Sequence, residues 1–173
     1  MTPGEAHVAE SVGDYLERDH RRLDGLLTQA LAGDGALDLD AFERFRAGLL
    51  RHIGMEEKVL FPAALAGDPA PDLADRLAQL RREHGELAGM LVPTPSRPIA
   101  EDVRDLLAGH NRREEEPGGV YQACAAALGP AADDVHRRLR QYPEVPLAPH
   151  FDGPGTYRPR PRPAATRGDP TAG

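Results

Sequence analysis

Two stretches, "HIGMEE" at residues 52–57 and "HNRREE" at residues 110–115, share the pattern His-x-x-x-Glu-Glu, and both follow apolar residues at helical spacing. Side chains four residues apart on an α-helix lie on one face, about 6 Å apart along the axis. Each stretch therefore places an imidazole beside a carboxylate. Because both pairs fall on the apolar side of their segments, they predict helices whose buried faces carry polar side chains.

Two further stretches, "RDHRRLDGLL" at residues 18–27 and "REHGELAGML" at residues 82–91, match each other at an Arg, a His, a Gly and two Leu positions. The motif order is thus His, His-x-x-x-Glu, His, His-x-x-x-Glu, which indicates a duplicated helical hairpin. Short connections join four amphipathic segments, which cover about residues 5–31, 38–66, 72–91 and 98–116. This arrangement predicts an all-α fold, an antiparallel up-down four-helix bundle.

The C-terminal part of the chain changes character in two steps. Residues 120–128 and part of 131–142 predict a short helical extension of the bundle. Residues 142–173 are dense in Pro and Gly, include "RPRPRP", and show no hydrophobic period. We therefore expect a bundle domain over residues 1–141 and an extended or disordered Pro/Arg-rich tail over 142–173. A protein partner for this tail is not identified by the sequence.

Composition narrows the class of protein. The formal net charge of -7 gives no general electrostatic support for a nucleic-acid partner. The single cysteine, Cys124, allows neither a disulfide framework nor a thiolate metal site, and we expect it in the core. No run approaches the roughly 18 apolar residues of a transmembrane helix, and the N-terminus lacks a signal-peptide pattern. These features predict a cytoplasmic protein with no membrane association.

Six polar side chains occupy positions on the apolar seams of the four segments, at similar depth along each. Two buried carboxylates without counter-ions cost several kcal/mol each, and no Lys or Arg shares their seams. Metal cations would neutralise the carboxylates and use the imidazole lone pairs. Histidine and carboxylate donors without thiolates favour iron or manganese over structural zinc, and six donors suit two ions. The set comprises His20, His52, Glu56, His84, His110 and Glu114.

The four motifs, in order, resemble those of the hemerythrin-like, or HHE cation-binding, domain over roughly residues 10–128, with "EEKVLFP" at 56–62 especially typical. The resemblance implies two non-haem iron ions bridged by two carboxylates and an oxo or hydroxo group. The same six residues would be the metal ligands. Because Pro117 and two glycines follow the fourth motif, Glu115 is an alternative to Glu114. No catalytic residue separate from the metal site is predicted.

One departure from the family bears on function. Oxygen-carrying members place a second histidine four residues from the third-helix ligand, whereas Leu80 and Ala88 flank His84 here. This difference implies an additional open coordination position.

The resemblance implies a protein that binds, senses or reacts with O2, H2O2 or NO in oxidative or nitrosative stress. As an enzyme it would be a di-iron oxidoreductase directed at peroxide or NO. The alternative is an iron-binding sensor or regulatory bundle that acts through a protein partner without turnover.

Overall fold

The computed structural model describes residues 10–159 and 161 of the chain. Within these residues the fold is all-helical and contains no β-strand, as predicted. The predicted helices are present, including both short ones of the C-terminal extension. The helices are α1 (Val12–Leu31), α2 (Leu39–Met55), α3 (Phe61–Ala66), α4 (Leu73–Met90), α5 (Arg97–Glu115), α6 (Val120–Leu128) and α7 (Ala132–Arg140).

Side-chain caps set where the first two helices begin. Ser11 and Asp14 form a capping box, in which the Asp14 amide donates to Ser11 Oγ at 3.1 Å and the Ser11 amide donates to Asp14 Oδ2 at 3.1 Å. Asp38 caps α2, because its Oδ1 accepts the amide of Ala41 at 3.0 Å. These bonds satisfy amide donors that have no partner inside the helix.

A π-helical turn, Glu56–Leu60, joins α2 to α3, so the two form one helical stretch. The amide of Phe61 donates to the carbonyl of Glu56, five residues back. Pro62 follows directly, and because it has no N–H it cannot donate to the carbonyl of Lys58. The wider turn accommodates this proline without ending the helix. The sequence analysis predicted an unbroken α-helix here and missed the π turn.

The apolar core divides into two clusters. The Phe61 cluster contains Leu16, Met55, Leu80 and the buried Cys124, and the Phe45 cluster contains Leu23, Leu49 and Leu87. Along the chain, α1 passes from the Phe61 cluster to the Phe45 cluster, α2 passes back, and α4 passes forward again. On each of these helices a histidine lies between the two clusters. The candidate site therefore lies where the apolar core is interrupted.

The described part of the predicted tail, called the extended segment, contains neither helix nor strand over residues 143–159 and includes a turn at residues 154–155. It is not detached from the bundle, because hydrogen bonds join it to helical residues and to the segment that follows α4. Residues 160 and 162–173, which include three of the six residues of "RPRPRP", lie outside the described residues. The bonds run from Arg51 Nη2 to the Tyr142 carbonyl (2.7 Å), from Arg46 Nη2 to the Ala148 carbonyl (2.8 Å), from the Phe151 amide to the Val92 carbonyl (3.0 Å) and from the Tyr157 hydroxyl to Asp102 (2.7 Å).

None of the helices between residues 10 and 159 combines the length and the hydrophobicity that crossing a membrane requires.

Candidate metal centre

The structure brings all six predicted side chains together between the two core clusters. His20 is 6% exposed, and the other five are at most 2% exposed. Their nitrogen and oxygen atoms form two groups that could each hold a metal ion, and the atoms of each group lie within 4.8 Å of one another. One group contains Glu56, His84, His110 and Glu114, and the other contains His20, His52 and Glu56.

Glu56 connects two pairs of histidines. Its Oε1 lies 3.4 Å from Nε2 of His52, and its Oε2 lies 3.1 Å from Nε2 of His84. The i, i+4 relation on one helix explains the first contact. The second contact crosses from the π turn to α4. Each oxygen of this carboxylate therefore faces a different histidine pair.

Glu114 repeats this arrangement from α5. Its Oε1 lies 3.3 Å from Nε2 of His110, and its Oε2 lies 3.4 Å from Nε2 of His20. The site thus has a His20/His52 half and a His84/His110 half, and both carboxylates span the two halves. A carboxylate with one oxygen towards each of two positions has the geometry of a bridging ligand.

A second carboxylate lies behind each histidine, at Nδ1. An ionised carboxylate only accepts hydrogen bonds, so each Nδ1 donates its proton outward and each Nε2 is directed into the site. This is the arrangement that orients imidazoles towards metals. The contacts are His20 to Glu115 (2.5 Å), His52 to Asp19 (2.9 Å), His84 to Glu57 (2.9 Å) and His110 to Glu83 (2.7 Å).

Glu115, the predicted alternative to Glu114, lies on the outer side of the site. Its side chain is 35% exposed and contacts the outward nitrogen of His20, whereas Glu114 is 0% exposed and faces inward. The helix continues to Glu115 before the Pro117 break, so the i, i+4 register of His110 and Glu114 is kept. The geometry therefore favours Glu114 as the inward carboxylate.

The inner surface of the site is rich in electron pairs. Nε2 of His84 and Nε2 of His110 lie 3.2 Å apart. Among the described residues, Glu56 Oε2 and Glu114 Oε1 are buried without a hydrogen-bond partner. Such atoms are costly to bury alone. A cation in each half would neutralise both carboxylates and bind all four Nε2 atoms. The residues present therefore fit a metal centre.

The pKa values of the buried groups reflect this crowding. Burial raises the pKa of Glu114 well above its ordinary value, and the charge of Glu56 adds to the effect. Burial also works against a charged His52, but the charge of Glu56 and the hydrogen bond to Asp19 outweigh it and raise the pKa of His52 to about 10. In the absence of metal, protons would thus take over part of the charge neutralisation.

Tyr121 lies in the site and was missed by the sequence analysis. It belongs to α6, is 3% exposed, and its hydroxyl donates to Oε1 of Glu56 at 2.7 Å. A chain reversal containing Gly118, whose φ is 77°, separates α6 from α5. No helical period connects Tyr121 to the four histidines, so its position could not be obtained from spacing. Its place in an apolar run indicated burial only.

Two of the remaining histidines, His136 and His150, lie apart from the cluster. His136 lies 3.4 Å from Glu10 and packs edge-on against Tyr15, and His150 lies 2.6 Å from Glu43. Neither histidine belongs to the two groups of side chains that could hold a metal ion. His7 lies outside the described residues.

A small cavity adjoins the His20/His52 half. Its volume is about 100 Å³, and it lies between α1, α2 and α5. Drug-sized ligands occupy pockets of roughly 300–1,000 Å³, so this cavity suits molecules of a few atoms. Its lining includes His20, Leu23, Leu27, Leu49, Leu107 and Asn111.

The helical fold and the buried histidine and glutamate side chains define the class as an all-helical cation-binding protein. The family model of the hemerythrin HHE cation binding domain matches residues 11–141. The chain belongs to this family, which confirms the resemblance seen in the motifs. No curated protein and no solved structure gives a significant match.

Proposed function

We propose that the protein is a non-haem di-iron protein, built as an antiparallel up-down bundle, that binds, senses or reacts with O2, H2O2 or NO. The observation that carries this proposal is the pair of carboxylates, Glu56 and Glu114, each directing one oxygen to each histidine pair. One carboxylate spanning two positions could be coincidental. Two carboxylates on different helices that span the same positions support a centre with two ions.

Each group of residues has a distinct part in this proposal. The four Nε2 atoms and the two carboxylates would hold the ions, and the four outer carboxylates would keep each imidazole oriented. The apolar clusters on both sides exclude bulk water, which strengthens the electrostatic interactions inside. Iron, when bound, would supply reversible one-electron chemistry and positions for a small ligand.

The volume of the cavity next to the site supports a small ligand. The cavity beside His20 has a volume of about 100 Å³, and four of its nine lining residues are leucines. The buried Oδ1 of Asn111 has no hydrogen-bond partner among the described residues. A diatomic molecule or a peroxide can enter such a space, whereas an organic substrate of ordinary size cannot.

Metal content and the optical spectrum of the purified protein test the proposal. We expect two iron ions per chain after anaerobic loading with Fe²⁺, and a spectral change on adding O2, H2O2 or NO. His84→Ala should reduce the content to one ion or none. His136→Ala is the matched control, because His136 lies outside the cluster, and it should retain two ions. One ion per chain in the wild type, or zinc in place of iron, would contradict a di-iron centre.

A second candidate function is an iron sensor that signals through a protein partner. The contact of the extended segment with α2 favours it, because Arg51, which holds the carbonyl of Tyr142, is adjacent to His52. Limited proteolysis with and without iron separates the two functions. A sensor predicts iron-dependent protection of residues 142–157 and slow oxidation. A reactive centre predicts fast oxidation and peroxide consumption with equal cleavage in both states.

A further inference from the structure

The hydroxyl oxygen of Tyr121 contacts every donor atom of the His20/His52 half. This includes one oxygen from each of the two spanning carboxylates. The side chain is 3% exposed, so no bulk water competes for these contacts. The distances are 2.7 Å to Oε1 of Glu56, 3.2 Å to Nε2 of His20, 3.4 Å to Nε2 of His52 and 3.5 Å to Oε2 of Glu114.

These distances are those expected between neighbouring ligands of one ion. Imidazole nitrogens and carboxylate oxygens bind transition-type ions at about 2.0–2.2 Å, so donors at right angles around an ion lie about 3 Å apart. With four such neighbours, from His20, His52, Glu56 and Glu114, the phenol oxygen would be a further donor to an ion held there.

The other half of the site has no equivalent oxygen among the described residues. The ring of Phe61 lies parallel to the imidazole of His84 there, with 6.0 Å between centroids and 4° between planes. Phe61 offers no ligand atom. The two halves, similar in their histidines and carboxylates, therefore differ in a single donor.

We propose that Tyr121 is a ligand of the ion held by His20 and His52, and that its phenolate oxygen makes the two ions chemically unequal. This inference rests on the proposed di-iron function and adds a donor that the motifs do not contain. When iron(III) binds, the phenolic O–H bond breaks and its proton passes to solvent. The oxygen lone pair then forms the iron–oxygen bond, and no electron is transferred.

The visible and resonance Raman spectra of the ferric protein test this assignment. A phenolate bound to iron(III) gives a charge-transfer band in the visible range and enhanced ring vibrations of tyrosine. We expect both in the wild type and complete loss of both in Tyr121→Phe, which keeps the ring and therefore its packing. Tyr15→Phe is the control, because Tyr15 packs against His136 away from the cluster, and it should retain both signals.

The outcomes distinguish this inference from the function on which it rests. Two irons per chain without tyrosine vibrations in the wild type would overturn the ligand assignment and leave the di-iron centre standing. A visible band and tyrosine vibrations that persist in Tyr121→Phe would also overturn the ligand assignment and leave the di-iron centre unaffected. A wild-type chain that holds no pair of irons would overturn both. Because the wild-type Raman spectrum is decisive by itself, the test does not depend on the variant folding.

Discussion

The carboxylate of Asp19 on α1 lies 2.9 Å from Nδ1 of His52 on α2. Asp19 itself directly precedes His20, so one short stretch supplies a candidate ligand and orients the ligand of the next helix. The same relation runs around the whole bundle. Glu57 of the π turn contacts Nδ1 of the histidine on α4, and Glu83 of α4 contacts Nδ1 of the histidine on α5. Glu115 of α5 contacts Nδ1 of the histidine on α1.

Removing the Asp19 carboxylate should weaken metal binding without removing a ligand. We expect Asp19→Ala to lower metal affinity by about 10- to 100-fold, because His52 loses the acceptor that fixes its ring and its tautomer. Asp19→Asn should have a smaller effect, since an amide oxygen can still accept the Nδ1 proton. Competition with a chelator of known affinity, using Fe²⁺ under anaerobic conditions, measures the change.

Asp24→Ala is the matched control for this series. Asp24 lies on the same helix and is exposed, and its loss removes an equal charge. If Asp24→Ala and Asp19→Ala lower the metal affinity equally, the decrease comes from the lost negative charge alone. The proposal that Asp19 orients His52 would then be wrong.

Glu114→Gln should stabilise the metal-free protein and abolish its stabilisation by metal. Burial raises the pKa of Glu114 above 4.5. In the metal-free state, a carboxyl with a raised pKa makes the fold less stable as pH rises above its ordinary pKa, until the raised pKa is passed. The gain from glutamine should therefore be small near pH 4.5 and reach the order of 1 kcal/mol at neutral pH. Urea denaturation at several pH values, with and without metal, measures both effects.

Glu116→Gln supplies the comparison, because Glu116 is an exposed carboxylate just after α5. It should leave both the metal-free stability and the response to metal unchanged. A metal-free Glu114→Gln protein that is no more stable than the wild type at pH 7 would contradict the penalty that burial, together with the charge of Glu56, imposes on an ionised Glu114.

The helices and the six inward side chains were predictable because both depend on local geometry. A 3.6-residue period places apolar residues on one face, and the i, i+4 relation of His52 to Glu56 is a property of a single helix. The bundle then requires only that four such faces meet.

Features that depend on distant parts of the chain were not predictable from spacing. Tyr121 reaches the site through a reversal around Gly118 that no periodicity describes. The roles of the outer carboxylates require knowledge of which helices are neighbours. The C-terminal tail was expected to be extended or disordered because it is dense in Pro and Gly and has no hydrophobic period. Its backbone carbonyls nevertheless accept hydrogen bonds from Arg46 and Arg51, and such bonds do not require an apolar pattern.

Removing this segment should reduce stability while leaving metal content unchanged. A chain that ends at residue 141 loses the acceptors of Arg46 and Arg51, and a hydrogen bond contributes about 0.5–1.5 kcal/mol. We expect a loss of roughly 2 kcal/mol, which corresponds to a decrease in Tm of about 4–8 °C for a chain of this size. Calorimetry of the metal-loaded protein measures it.

A chain that ends at residue 159 is the control, because it removes almost only residues outside the described ranges. It should melt with the full-length protein. Equal Tm values for all three chains would show that the contacts of residues 142–157 with the bundle do not form in solution.

Two glycine substitutions should change stability in opposite directions. At Gly67 a Cβ atom would collide with the backbone carbonyl of Ala127, which is held in place by the amide of Asp68 at 2.9 Å. Gly67→Ala should therefore cost about 1–3 kcal/mol, as overpacking does. Gly25 in α1 has open space around it, and Gly25→Ala should add about 0.5–1 kcal/mol through helix propensity. Urea denaturation of both variants measures the difference, and a neutral Gly67→Ala would show that the ends of α3 and α6 do not approach each other this closely.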